Sequence, residues 1–334
     1  MSDSAPLLGG IELGGTKCVC LIGTGPNDVR MRTAIPTGSD SADTLRHLEE
    51  ELRRGMAAHG PIRALGIASF GPIDLDRNSP TYGWITSTPK PGWRRTSVTA
   101  RFLALDLPLA FDTDVNGAAL AEGCWGAARG LADFAYITVG TGIGVGLYVN
   151  GGLTHGFLHP ELGHLRIARL PGDRWPGSCP FHGDCVEGLA SGPAIAARSG
   201  MEAHLVPLQD PVWVTVAHAL AQLLHALVVT TAPRRILIGG GIMGARPELL
   251  ALVRRQLAHS LSGYIDRPEV GEDIDRFIAA PGLGALAGPL GALALAANAL
   301  AANAPGVEAR GVEAPCPPRR RRAIVPANPN DPER

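Results

Sequence analysis

The sequence predicts an α/β protein built as two lobes around a cleft. Three observations carry that expectation. An apolar run, Leu7 to Leu13, ends in the glycine turn Gly14-Gly15-Thr16-Lys17. A second run, Phe134 to Val139, ends in Gly140-Thr141-Gly142-Ile143-Gly144-Val145-Gly146. Between them, residues 107–113 form a third run that closes on the acidic pair Asp112 and Asp114. Short apolar runs bounded by glycine read as buried strands. A turn without side chains lets backbone N–H groups approach an anion. One such turn is commonplace, but two of them, with an acidic strand end between, point to lobes that close on a nucleotide.

The elements come in this order. Residues 7–13 and 17–23 pair as a hairpin around the first turn. Residues 43–58 are helical, because Leu45, Leu48, Leu52 and Met56 share one face and Arg and Glu share the other. Residues 63–69 make a strand that stops at Ser69-Phe70-Gly71-Pro72. A helix of small residues, Gly117 to Gly123, comes after the acidic strand end. The second half repeats the pattern with strands near 134–139 and 144–149, a helix over 211–231, and a strand at 235–238 that meets Gly239-Gly240-Gly241. A helix begins near Pro247, a residue suited to a first helical turn. An Ala- and Leu-rich helix covers roughly 284–303. Residues 1–115 and 116–303 are the expected lobes. Beyond 304, seven prolines and the run Arg319-Arg320-Arg321-Arg322 suggest a disordered tail.

Composition narrows the function classes. The 334 residues suffice for two lobes with a large core, and 45% are hydrophobic. No apolar run reads as a membrane span. The residues before the first strand carry no positive charge and show no cleavage site, so no export signal is expected and a cytoplasmic location is. A net charge of −1 gives no steering toward nucleic acid or anionic lipid. Only about ten residues precede the first glycine turn, too few for a DNA-reading helix-turn-helix. Small molecules are therefore the expected partners.

Several residues can carry chemistry. Asp114 lies where a strand gives way to a helix, the place that faces the ligand crevice in α/β folds. There it can accept a proton from an attacking hydroxyl, or it can merely cap the helix. Cys179-x-x-His182-x-x-Cys185 has the spacing of tetrahedral zinc ligands. His155, His159 and His164 are all candidates for a fourth. A metal would clamp the loop 155–187, a segment rich in Pro, Gly and Arg with little else to order it. Glu161 and Glu187 flank that loop and suit the reading of sugar hydroxyls. Gly239 and Gly240 would let an adenine lie against backbone.

Taken together these segments resemble the ROK family of sugar kinases, over residues 8 to 300. Gly9-Gly10-Ile11-Glu12-Leu13-Gly14-Gly15-Thr16-Lys17 is similar to the family's first phosphate motif, with Glu12 where an Asp is usual. Asp114-Val115-Asn116-Gly117-Ala118-Ala119, with Glu122, resembles the segment holding the catalytic Asp. The resemblance thus implies that Asp114 is the general base and brings Asn116 toward the substrate. Thr141 and Gly142 fall in the second, ATP-holding motif. In Glu161-Leu162-Gly163-His164 the resemblance gives Glu161 and His164 sugar contacts and makes His164 the fourth zinc ligand. His182, where most members have Cys, and the segment Tyr82 to Trp93 are similar to the bacterial fructokinase branch. The resemblance implies an actin-like ATPase (ribonuclease H-like) fold, ATP and Mg²⁺, a structural Zn²⁺, transfer to O6 of fructose, and a homodimer. Glucose, mannose or an N-acetylhexosamine is the alternative acceptor, and a sugar-sensing regulator is the remote one.

Overall fold

The computed structural model describes residues 5–303; the proline- and arginine-rich segment from 304 lies outside them. In chain order the elements are β1 (Leu8–Leu13), β2 (Lys17–Gly25), β3 (Asp28–Pro36), α1 (Ser41–His59), β4 (Leu65–Ser69), β5 (Trp84–Ile85), β6 (Thr96–Ser97), β7 (Leu109–Thr113) and α2 (Asp114–Trp125). After these come β8 (Phe134–Val139), β9 (Ile143–Val149), β10 (Gly152–Leu153), α3 (Val186–Ala190), α4 (Gly192–Ser199), α5 (Val212–Thr231), β11 (Ile236–Gly239), α6 (Gly241–Ala245), α7 (Leu249–Leu261), α8 (Ile274–Phe277), β12 (Ile278–Ala279) and α9 (Ala287–Ala302).

Two five-stranded sheets share one plan. The first has the order β3-β2-β1-β4-β7 and the second β10-β9-β8-β11-β12. In each, the first three strands run antiparallel and the last two parallel to the strand beside them. The glycine turns join β1 to β2 and β8 to β9, so each is the closing loop of a hairpin. Helix α1 covers the outer face of the first sheet. Asp40 caps it by accepting from Asp43 N at 3.1 Å, and Leu45, Leu48 and Leu52 are buried against the strands.

Helices α2 and α9 fill the space between the sheets. Their apolar side chains pack with Leu8, Val19 and Leu21 of the first sheet and with Phe134, Tyr136 and Leu237 of the second. The helices are rich in Ala and Gly because they pass close to backbone. A Cβ on Gly291 would strike the backbone of Gly117, and one on Gly10 would lie 3.1 Å from Ala292 Cβ. A lobe boundary at 115/116 places α9 with the second lobe, yet this helix returns to pack on β1, β2 and β4 of the first. Hydrophobic periodicity marks such a helix but does not say which sheet it covers.

One expectation needs correction. Helix α5, twenty residues long and free of Asp, Glu, Lys and Arg, is long and apolar enough to cross a membrane, and so is the segment Gly284–Ala302. Both are core helices instead. Leu220, Leu223, Leu224 and Leu227 of α5 are buried among Val186, Leu189, Val253 and Leu257, which accounts for their apolarity without any bilayer.

Candidate active site

The fold brings the two glycine turns together. Thr16 Oγ1 lies 3.4 Å from Thr141 Oγ1. In the first turn Gly14 N donates to Lys17 O at 3.1 Å, the Thr37 hydroxyl donates to Gly14 O at 2.7 Å, and Lys90 Nζ donates to Gly15 O at 2.7 Å. In the second, Gly140 N donates to Gly142 O at 2.9 Å and Gly192 N donates to Gly140 O at 2.8 Å. Ile143 N donates to Glu187 Oε2 at 2.9 Å.

Asp114 opens α2, but it is not the cap. Thr113 takes that role, its hydroxyl accepting from Asn116 N at 3.1 Å. The half-buried Asp114 carboxylate accepts from Val115 N at 2.9 Å through Oδ1. Among the described residues no side chain donates to it. Burial pushes its pKa up to about 6, although the backbone bonds oppose the shift. Three more carboxylates gather around it. Glu12 is pushed up to about 7 by burial and by Asp114, against the pull of Lys17 and Arg32. Glu161 is also pushed up to about 7, by burial, then by Asp114 and Glu187. The cluster draws on both lobes: Glu12 from β1, Asp114 from the start of α2, Glu161 from the long loop and Glu187 from α3.

That loop is seated against the second turn. Gly163 makes this possible, because any Cβ there would overlap Ile143 O. Next to it, His164, Cys179, His182 and Cys185 offer four ligand atoms that all lie within 4.8 Å of one another. Cys179 Sγ is 3.6 Å from both His164 Nδ1 and His182 Nδ1, and Cys185 Sγ is 3.6 Å from His164 Nδ1. A tetrahedron with Zn–S of about 2.3 Å and Zn–N of about 2.0–2.1 Å has S···N edges near that length. The donor set fits zinc. His164 turns its other nitrogen, Nε2, toward Glu187 Oε1, 4.0 Å away and beyond hydrogen-bond reach.

The loop has order of its own apart from any metal, contrary to the sequence-based expectation. Arg198 holds Asp173 through two bonds of 3.0 Å, and Arg169 bridges Asp173 and Asp184 at 2.9 Å each. Burial alone would raise the Asp173 carboxyl. Bonds from Arg198, Arg169 and Trp175 N outweigh it and hold the group well below the usual range.

A cavity of about 410 Å³ adjoins the second turn, lined by Thr141, Gly192, Pro193, Gly241, Ile242 and Arg246 among others. Its size suits an adenosine moiety. A model described as the ROK family matches residues 8–299. The chain belongs to the ROK family. A fructokinase of Zymomonas mobilis is 41% identical over 89% of this chain and 98% of its own length. One of Pediococcus pentosaceus is 40% identical over 87% and 97%. The solved ROK hexokinase of Thermus thermophilus superposes with a TM-score of 0.70 at 28% identity, over 87% of this chain and 97% of that one. The fold is the actin-like ATPase fold.

Not every expected residue of this ROK protein stands where the sequence suggested. Gly239 and Gly240 are not among the residues that line the cavity: a Cβ on Gly239 would be 2.7 Å from Pro281 Cγ, and Gly240, at φ +91°, abuts Val139. Gly241 lines the cavity instead. Asn116 is 1% exposed, so it has almost no surface to offer a sugar. Its amide donates to Asp112 Oδ1 at 2.7 Å, and His155 Nε2 lies 2.9 Å from Asp112 Oδ2. This partly buried network secures the strand end that presents Asp114. Sequence reasoning also missed Lys90 as an anchor of the first turn, although one of only two lysines in the chain was a signal.

Proposed function

We propose that the protein transfers the γ-phosphoryl group of ATP to the 6-hydroxyl of D-fructose. The observation that carries the proposal is the meeting of the Thr16 and Thr141 turns in a cleft whose half-buried carboxylate, Asp114, has no side-chain partner among the described residues. The acceptor is assigned from the fructokinases that align over nearly the whole chain. Adenosine occupies the cavity beside Gly241, and the N–H groups of both turns hold the phosphates. Glu161, Glu187 and His164 read the sugar hydroxyls. Asp114 takes the proton from the 6-hydroxyl as that oxygen bonds to the γ-phosphorus, and ADP departs with the electrons of the broken P–O bond.

The carboxylate crowding around Glu12 suits a hard dication, and Glu12 is the residue placed to hold Mg²⁺, which neutralises phosphate charge when bound. Zinc, on the four donors described, fastens the loop that carries Glu161 and Glu187. The described free cysteines accord with a cytoplasmic setting. A homodimer belongs to the same proposal, and sedimentation of the zinc-replete protein tests it.

A coupled assay with fructose, glucose, mannose and N-acetylhexosamines decides the acceptor. A higher kcat/KM for any aldohexose than for fructose ends the assignment. Asp114→Asn is expected to lower kcat by about 10²–10⁴ with the melting temperature and ATP affinity kept; a loss under about tenfold removes Asp114 as the base.

The raised carboxyls also predict opposite pH responses. The base must be ionised, so kcat/KM climbs as pH rises through about 6. Stability moves the other way. Between the ordinary carboxyl range of about 4 and the folded values, the native state binds more protons than the unfolded chain. Raising pH through this window, up to about 7 for Glu12 and Glu161, therefore costs stability. Melting temperatures that increase across it would contradict the cluster.

A further inference from the structure

We propose that His159 is a positioning residue that orients the Glu161 carboxylate for the hexose. The inference rests on the reading that Glu161 meets the sugar. His159 is left over once the metal cluster is complete, yet among the described residues it is the one buried histidine, 4% exposed. Ile73 N donates to its Nε2 at 3.0 Å. A nitrogen that accepts carries no proton, so the neutral ring bears its hydrogen on Nδ1. That edge lies 3.4 Å from Glu161 Oε1, an ion-pair distance, and the ring also bonds to the Pro160 backbone. Burial lowers the affinity of His159 for a second proton against the opposing Pro160 backbone bond and the pull of Asp112, and His155 adds repulsion. The proton on Nδ1, the edge beside Glu161, is thus kept at neutral pH.

Space has been made for this contact. A Cβ on Gly71 would lie 3.1 Å from His159 Cε1 and 3.2 Å from Glu161 Oε1. The ring is a strut: one nitrogen rests on the turn after β4 in the first lobe, the other on a glutamate of the long loop beside the second. Engaging Oε1 leaves the other carboxylate oxygen for a substrate hydroxyl. A carboxylate free to rotate about its last bond would offer neither oxygen in a fixed direction, and misplacement by a fraction of an ångström weakens recognition.

Two substitutions separate the two ends of the strut. His159→Gln can keep an acceptor near the Nε2 position but loses the donor at Nδ1. His159→Asn keeps a donor near Nδ1 but drops the partner of Ile73 N. The expected result is that His159→Gln raises the fructose KM by about tenfold, the equivalent of one bond to a charged group, with kcat and ATP KM within about threefold of wild type. His159→Asn should retain fructose KM and melt at a lower temperature. In a Glu161→Gln background, His159→Gln should add less than about twofold, because the two act through one contact.

An unchanged fructose KM in a folded His159→Gln overturns the proposal, and so does an undiminished effect in the Glu161→Gln background. If His159→Gln does not fold, Gly71→Ala presses on the same pair and should raise fructose KM in wild type but not in Glu161→Gln; failure to do so overturns it equally. Should Glu161→Gln alone leave fructose KM unchanged, the sugar-contact reading of Glu161 fails and the strut falls with it, while Asp114→Asn still reports on the phosphotransfer reading separately.

Discussion

The two glycine turns have similar sequences and lie within touching distance, but they are held in different ways. The first is fastened within its own lobe, by the Thr37 hydroxyl on Gly14 O and by Lys90 on Gly15 O. The second is fastened from the helices that follow the long loop, by Glu187 of α3 on Ile143 N and by the start of α4 on Gly140 O. Glu187 comes two residues after Cys185, and Gly163, one before His164, abuts Ile143. The lesson is that one turn is fastened within its own lobe, whereas the other depends on the segment that carries the four candidate metal donors. Disturbing the loop should therefore affect the turns unequally.

Metal removal is the strongest way to break this asymmetry. Chelation, or Cys185→Ser, is expected to lower the melting temperature by at least several degrees, since each kcal/mol lost is worth about 2–4 °C in a body of 150–250 residues. Hydrogen exchange should show amides 140–146 losing protection and amides 14–17 keeping theirs. Equal loss at both turns would mean that the loop supports the whole cleft. A melting temperature and fructose turnover unchanged by chelation would remove zinc from the account. The Arg169–Asp173–Arg198 pairs should keep part of the loop in place, so apoprotein is expected to stay folded.

A smaller effect isolates Glu187. Glu187→Ala deletes the acceptor for Ile143 N and should raise ATP KM by about tenfold, the low end for a lost bond to a charged group. Glu187→Gln keeps an acceptor and should leave ATP KM within about threefold, while fructose KM rises because the charge facing the sugar is gone. If both variants behave alike toward ATP, the anchor is electrostatic and the comparison between the turns needs redrawing.

The same contrast explains what could be read from sequence. Both hairpins, α1 and the acidic strand end were legible because apolar periodicity and glycine punctuation are local signals, and the family resemblance supplied the actin-like fold. Strand β3 was missed: at the sheet edge it alternates exposed Arg30, Arg32 and Ala34 with residues only partly buried, so it lacks the apolar run of a core strand. Helices α3 and α4 were not anticipated, being short and interrupted by Gly188, Gly192 and Pro193. The return of α9 to the first sheet is a matter of topology, which periodicity does not encode. At the site, spacing singled out Cys179, His182 and Cys185 and left three histidines open for the fourth place. Geometry closes the set with His164 and gives His155 and His159 other partners. That Thr113 and not Asp114 caps α2 depends on side-chain rotamers, beyond the reach of residue pattern.

The least disruptive test bears on the first turn. Lys90 reaches Gly15 O from a segment anchored by buried Trp93, whose Nε1 donates to Gly38 O at 2.8 Å. Lys90→Met removes the donor and the charge but leaves the aliphatic stem and the Trp93 anchor. The bond is partly solvated and the turn has a second fastening at Thr37, so ATP KM should rise by only about two- to fivefold, with the melting temperature within about 1 °C of wild type. Thr37→Val removes the fastening to Gly14 O, and its effect should exceed that of Lys90→Met because the Thr37 hydroxyl is buried and also lies 3.1 Å from Cys18 Sγ. Neither substitution should alter the response to chelation. A Lys90→Met protein that became more sensitive to metal loss would show that the turns support each other through the Thr16–Thr141 contact, and the two cradles would then have to be treated as one.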